Sequence, residues 1–200
     1  MRAGLNKIQW CPWCGNFLIQ AAIKSALKQL NIPKHKVVVV SGIGCAWKMS
    51  QYIDGYGTET LHWRAVPFAT GLKLSNPDLT VIVYGGDGDG YGIGLGHLLH
   101  AARRNINLTY IVANNENYGL TTGQASPTTP LHIKTRSTPE GNPTLPFDPN
   151  ALVKAAWCWY SVRALDKDLP LLTQIIVDAI KHEGFSHIDV DQWCPSWRKR

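Results

Sequence analysis

The stretch from residue 79 to residue 115 constrains the fold more than any other. An apolar, β-branched run (79–84) meets Gly85-Gly86-Asp87-Gly88-Asp89-Gly90. A helix-patterned stretch (93–104) follows, then a second apolar run (108–113) that closes on Asn114-Asn115. Continuous apolar runs are strands buried on both faces, and a helix between two such strands joins them in parallel. The alternation predicts an α/β fold, a mainly parallel sheet with helices on both faces.

The rest of the chain keeps the same rhythm. A helix is predicted over 17–30, with Asn16 as its cap and Asn31 and Pro33 as its stop. A strand over 36–40 ends at Ser41-Gly42-Ile43-Gly44, a helix spans 64–74, and Asn76-Pro77-Asp78 turns the chain. Residues 116–149 carry no periodicity. Loops of that length in a compact domain are usually functional, the alternative being a linker between domains. Asp148 or Asn150 then caps a short helix. A strand over 157–163, a helix over 169–182 closed by Gly184 and a strand over 186–190 complete the pattern. The expectation is one domain over 1–200, with an N-terminal cysteine-bearing segment (1–16) and a long active-site loop (116–149). At 200 residues, 44% hydrophobic and 17% charged, the chain is too apolar for disorder. It has no apolar run of the roughly 20 residues that span a bilayer, and residues 1–7 have no leader-type apolar core. A cytoplasmic protein without membrane contact is the expectation.

The glycine-rich turn, the two asparagines and Cys45 follow predicted strands, where ligands of open parallel sheets bind. Glycines let backbone approach a phosphate, yet Asp87 would repel one unless a cation lay between. Asp87 therefore points to Mg²⁺ bridging a diphosphate, with a plain strand-to-helix turn as the alternative. Asn115 lies 28 residues on, at the end of the next strand, where its amide oxygen can join the same cation. The five cysteines are Cys11, Cys14, Cys45, Cys158 and Cys194. One close pair with two single thiols allows an iron–sulfur cluster, zinc or unrelated thiols. Cys158, between Trp157 and Trp159, reads as a buried structural thiol. The net charge of +6 suits nucleic acid, an anionic cofactor or an acidic protein. The sequence has no basic-and-aromatic stripe for single strands, and no nucleic-acid partner is expected.

Gly-Asp-Gly followed by Asn-Asn at this spacing resembles the thiamine-diphosphate motif. Trp-Cys-Pro-Trp-Cys-Gly-Asn-Phe (10–17), Ser-Gly-Ile-Gly-Cys (41–45), His-Trp-Arg-Ala (62–65) and Gly-Gly-Asp-Gly-Asp (85–89) carry the likeness further. So do His-Ala-Ala-Arg-Arg-Asn (100–105), the run from Asn114 to Thr129 and Cys-Pro-Ser (194–196). Together they resemble, nearly end to end, the thiamine-diphosphate-binding β subunit of 2-oxoacid:ferredoxin oxidoreductases. The resemblance implies a thiamine-diphosphate-binding fold, with Gly86, Asp87, Gly88, Asp89 and Asn115 at the cofactor. It implies Mg²⁺ on Asp87, Asn115 and the carbonyl of Asn117, and a [4Fe–4S] cluster on Cys11, Cys14, Cys45 and Cys194. Lys48 matches a lysine near the substrate carboxylate, and His62 and Arg64 match a segment near the cofactor. The implied reaction is oxidative decarboxylation of a 2-oxoacid with coenzyme A. Electrons pass through the cluster to ferredoxin, and an α subunit completes the active site.

Tryptophan stands at four positions where this family carries glycine: Trp13, Trp47, Trp63 and Trp157. Indoles there are expected to crowd cofactor, cluster or partner, which makes an inactive, partner-binding family member the alternative. Thr122 stands where some members carry a second substrate-sensing lysine.

Overall fold

The computed structural model describes residues 8–198. The leader reading of residues 1–7 and the charges of Lys199 and Arg200 lie outside it. In chain order the elements are helix α1 (Asn16–Gln29), strand β1 (Val37–Ser41), a short helix α2 (Met49–Tyr52), β2 (Tyr56–Glu59) and α3 (Ala65–Ser75). Then come β3 (Thr80–Gly86), one turn of helix α4 (Asp87–Gly90), α5 (Leu95–Arg103) and β4 (Leu108–Asn114). A two-residue ribbon, β5 (Asn117–Tyr118) with β6 (Gln124–Ala125), opens the long loop. Helix α6 (Pro149–Ala155), β7 (Tyr160–Leu165), α7 (Leu169–Lys181) and β8 (Phe185–Asp191) follow it.

Six strands form one sheet in the order β2-β1-β3-β4-β8-β7, and every pairing is parallel. The four consecutive valines of β1 show how the layers form. Val37 and Val39 point into a core with Ile19 and Ile23 of α1 and Leu172 and Ile176 of α7. Val38 and Val40 point the other way, into Val66 and Ala69 of α3, Leu98 of α5 and Val153 of α6. Successive side chains of a strand alternate faces, so an unbroken valine run needs helices on both.

The differences from expectation have local causes. Asn16 does not cap α1. Gly15 occupies the cap, and the Asn16 side chain turns inward to accept a 2.7 Å bond from the buried Tyr84 hydroxyl. Asp148 does cap α6, accepting from the Ala151 N–H at 3.1 Å. Strand β2 was not expected, because its Tyr-Gly-Thr-Glu sequence has no apolar run. It pairs only with β1, at the sheet edge.

Strand β7 starts at Tyr160, not 157, because Trp157 has φ +70° and ends the preceding helix. Three helices end this way. After α1, the N–H groups of Asn31 and Ile32 return to the carbonyls of Lys28 and Leu27. After α5, Asn105 and Ile106 return to Ala102 and Ala101. After α6, Trp157 and Cys158 return to Lys154 and Val153. This is the double bond of a Schellman cap, whose first residue past the cap must be left-handed. Asn31 (φ +52°), Asn105 (φ +49°) and Trp157 fill that place.

Candidate active site

Parallel pairing brings the carboxyl ends of β1, β3, β4 and β8 side by side, with Ser41 opposite Tyr84, Gly86 opposite Ala113 and Asn114 opposite Asp191. The chain leaves each strand there into a loop, and these loops enclose two adjoining cavities. The first, about 170 Å³, is lined by Gly86, Asp87, Gly88, Asp89, His62, Trp63, Asn115, Asn117 and Tyr118. The second, about 360 Å³, is lined by Cys11, Cys14, Cys45 and Cys194 together with Trp10, Trp47, Lys48 and Trp197. Gly44, Cys45, Asn115, Gly119, Leu120 and Gln192 line both.

Asp87 is almost wholly buried at the start of α4. Burial pushes its carboxyl up to about 6, against the lowering effect of the Ser126 and Thr128 hydroxyls and nearby backbone N–H groups. The Thr128 hydroxyl lies 2.8 Å from Asp87 Oδ2. Asn115 Oδ1 accepts the Asn117 N–H at 3.2 Å, and the Asn117 amide nitrogen donates to the Asn115 carbonyl at 2.8 Å. That leaves Asn117 Oδ1 buried without a hydrogen-bond partner. A carboxylate pushed up by burial and an orphaned amide oxygen on one pocket wall fit a hard, oxygen-seeking cation. The sequence reading had the Asn117 backbone carbonyl in that role, while the unpartnered atom is its side-chain oxygen.

Asp89 also lines the pocket, and burial raises it to about 7. Its carboxylate serves the neighbouring loops, accepting the Trp63 N–H at 3.1 Å. Gly42 packs so closely on it that a Cβ would stand 1.8 Å from Asp89 Oδ2.

The cysteines divide as the spacing suggested, four in one cavity and Cys158 elsewhere. Cys158 Sγ donates to the Tyr160 carbonyl at 3.1 Å, below a shallow depression with Trp157 and Trp159. In the cavity, burial and then the neighbouring thiols push Cys14 up to about 12 and Cys45 to about 11. Among the described residues no group of three or more His, Cys, Asp or Glu stands close enough to hold a single metal ion. Four cysteines lining one cavity match in number and type the donor set that an iron–sulfur cluster takes.

Of the other candidates, His62 lines the first pocket, its ring edge-on to Trp63 at 5.2 Å. Lys48 lines the cysteine cavity instead, with its ammonium 4.2 Å from the Trp47 ring and 3.9 Å from Glu59 Oε1. Arg64 caps α3 on the surface, outside both cavities, and its guanidinium reaches back to the Trp63 carbonyl at 3.5 Å. Trp13 (87% exposed) and Trp157 (69%) point into solvent, so only Trp47 and Trp63 crowd a cavity. Outside both linings, Arg136 donates to the Thr122 hydroxyl, placing a cation beside the position where some members of the resembled family carry a lysine. Sequence reasoning assigned no site role to Thr128, which lies inside the recognised 114–129 run, and read Asn16, inside the recognised 10–17 run, only as a helix cap although it lines the first pocket.

Residues 42–190 match the family described as thiamine pyrophosphate enzyme, C-terminal TPP binding domain. The 2-oxoacid:ferredoxin oxidoreductase subunit beta of Saccharolobus solfataricus is 50% identical over 94% of this chain and 62% of its own length. The 2-oxoglutarate synthase subunit KorB of Archaeoglobus fulgidus is 43% identical over 95% of this chain and 71% of its own. A solved 2-oxoglutarate:ferredoxin oxidoreductase from Magnetococcus marinus, with 2-oxoglutarate, coenzyme A and succinyl-CoA bound, superposes with a TM-score of 0.95. It is 40% identical and covers 96% of this chain and 66% of that one. The chain thus spans roughly half to three-fifths of the length of the first curated relatives it matches. Among the described residues no helix is long and apolar enough to cross a membrane.

Proposed function

Because the chain belongs to the β-subunit family of the 2-oxoacid:ferredoxin oxidoreductases, we propose that it forms the thiamine-diphosphate half of such an enzyme, in the cytoplasm. The reaction is oxidative decarboxylation of a 2-oxoacid with coenzyme A, giving acyl-CoA and CO₂, with an electron pair passed to ferredoxin. An α subunit completes the site. One observation carries the reading: the four-thiol cavity and the Asp87–Asn115 pocket share a wall through Cys45 and Gly119.

Thiamine diphosphate supplies an electron sink for loss of CO₂, and a [4Fe–4S] cluster supplies one-electron transfer. This chain's part is to hold both and keep water away. The Gly86–Gly88 backbone receives the diphosphate without a Cβ at Gly86, where the space is open. Asp87, Asn115 and Asn117 hold Mg²⁺, and Thr128 and Ser126 aim the Asp87 carboxylate. Cys11, Cys14, Cys45 and Cys194 take the irons. Tyr118 closes the pocket over Gly88, its hydroxyl on the Gly88 carbonyl at 3.3 Å. Lys48 offers a cation in the cysteine cavity, and His62 a ring nitrogen in the first pocket. The net charge of +6 suits an acidic ferredoxin as partner.

The test is anaerobic purification with the α subunit co-expressed, followed by iron and acid-labile sulfide analysis and a visible spectrum. About four irons and four sulfides per chain are expected. The broad visible band should bleach when 2-oxoacid and coenzyme A are added together. Zinc in place of iron removes electron transfer from the function. A cluster that never bleaches removes oxidative decarboxylation.

A further inference from the structure

Behind Asp87 runs a chain of buried polar groups that no pocket residue explains. Asp189 of β8 has no exposed surface. Its Oδ1 accepts the Asn114 amide at 3.0 Å and the Tyr91 hydroxyl at 2.9 Å. Its Oδ2 has no hydrogen-bond partner, the nearest cation being Arg163 Nε at 3.8 Å. Burying a carboxylate this incompletely satisfied is costly, and packing alone would favour an apolar residue. Tyr91 continues to His187 Nε2 at 2.9 Å, and His187 Nδ1 to Ser161 at 3.1 Å. On the other side, Asn114 Oδ1 and Asp87 Oδ2 lie 2.9 Å and 2.8 Å from the one Thr128 hydroxyl.

We propose that Asp189 is a positioning residue for the cation site. It orients the Asn114 amide, whose carbonyl oxygen shares the single Thr128 proton with Asp87 Oδ2, and so fixes the place of that hydroxyl and of the Asp87 carboxylate beside it. Groups that hold a metal ligand in place tune affinity for the metal without touching it. This rests on the function proposed above.

The test is Asp189→Asn in the complex with the α subunit. Thiamine diphosphate binding is titrated with Mg²⁺ by calorimetry, beside thermal melting of the cofactor-free complex. The variant should need about ten- to a hundred-fold more Mg²⁺ for half-saturation, with an unchanged or higher melting temperature. A residue that only props the fold would lower melting and leave the Mg²⁺ requirement alone, and that result overturns the inference. Wild-type complex that binds no thiamine diphosphate overturns the function itself, and the inference with it.

A second, independent observation concerns backbone shape. Among the described residues, eight non-glycine positions have positive φ, and three of them are tryptophan: Trp13 (+66°), Trp63 (+61°) and Trp157 (+70°). Each holds a place whose stereochemistry asks for glycine. Trp13 is the third residue of the Cys11–Cys14 turn, after Pro12, closed by Cys14 N–H on the Cys11 carbonyl. Trp63 is the third residue of the turn closed by Arg64 N–H on the Leu61 carbonyl. In turns with positive φ at that place glycine is the usual residue, and proline precedes it readily. Trp157 fills the Schellman position that asparagine fills after α1 and α5. Bulky side chains pay for this conformation, and the exposed rings of Trp13 and Trp157 recover little by packing. Trp10, by contrast, is built in, with Nε1 on the Cys45 carbonyl at 2.8 Å and its ring against Phe17 and Tyr52.

We infer that positions 13, 63 and 157 are glycine in the protein its own cell makes. The codon UGA is read as tryptophan in some genetic codes and as glycine in others, and supplies the route. The gene should carry UGA at codons 13, 63 and 157 and UGG at codon 10. Mass spectrometry of tryptic peptides from the source cell should find glycine at the three positions and tryptophan at 10. UGG at all four codons, or an indole at all four positions, overturns the inference. As a structural check, the chain carrying W13G, W63G and W157G together should melt higher; an equal or lower melting temperature removes its premise.

Discussion

Gly42 shows how tightly single residues are held at the pocket. The Asp89 carboxylate occupies the space a Cβ would take, and the same carboxylate anchors the turn at Trp63. Gly42→Ala must push Asp89 aside, so a loss of about 1–3 kcal/mol is expected in chemical denaturation, as for other overpacked sites. Loss of thiamine diphosphate affinity should accompany it. At this scale the sequence was readable where chemistry is local. Cys11 and Cys14 announce themselves by spacing, and Asp87 by its glycine neighbours. Thr128 was not readable, because its role depends on the loop folding back onto Asp87, 41 residues earlier. Asn16 misled for a related reason: its hydrogen-bonding partner, Tyr84, is 68 residues away and outcompetes the local cap.

At the scale of elements, hydrophobic period decided nearly everything. The five strands that are apolar and paired on two sides or packed on two faces (β1, β3, β4, β7 and β8) lie close to where their residue patterns put them. The elements that escaped notice are β2, the β5–β6 ribbon and the single turns α2 and α4. All are too short or too polar to show a period, and tertiary contacts set them. Residues 116–149 read as structureless but are held throughout. Asn142 donates to the carbonyls of Thr129 and Thr144 at 2.7 Å and 3.0 Å, and the Phe147 N–H closes on the Pro127 carbonyl at 2.9 Å. Thr128 of this loop reaches Asp87 and Asn114 at the carboxyl ends of the central strands, at 2.8 Å and 2.9 Å.

For the whole molecule, the interior between β4, β8 and β7 sets a pH dependence. His187 has no exposed surface, and burial depresses its pKa from 6.5 to about 3. Between those values the unfolded chain takes up a proton that the folded chain refuses. Its contribution is therefore complete above pH 6.5 and is lost as pH falls toward 3, at up to about 1.4 kcal/mol per unit. Buried Asp87 and Asp89, raised to about 6 and 7, act in the opposite direction. They do so equally in wild type and in His187→Gln, so the difference between the two isolates the imidazole. Urea midpoints should show wild type weakening relative to H187Q as pH falls below about 6.5. A constant difference would mean that His187 is protonated in the folded chain.

The order of the sheet has a further consequence for synthesis. Strand β8 comes last among the described elements, yet it sits between β4 and β7, and its register with β4 runs from Phe185 to Asp191. While a ribosome still holds those residues, β4 has an open, apolar edge and β7 has no neighbour in the sheet. The nascent chain must then wait with an unpaired strand exposed, a state prone to pairing with the wrong molecule. Folding can finish only after translation has passed residue 191, and a chaperone's attention falls on that interval.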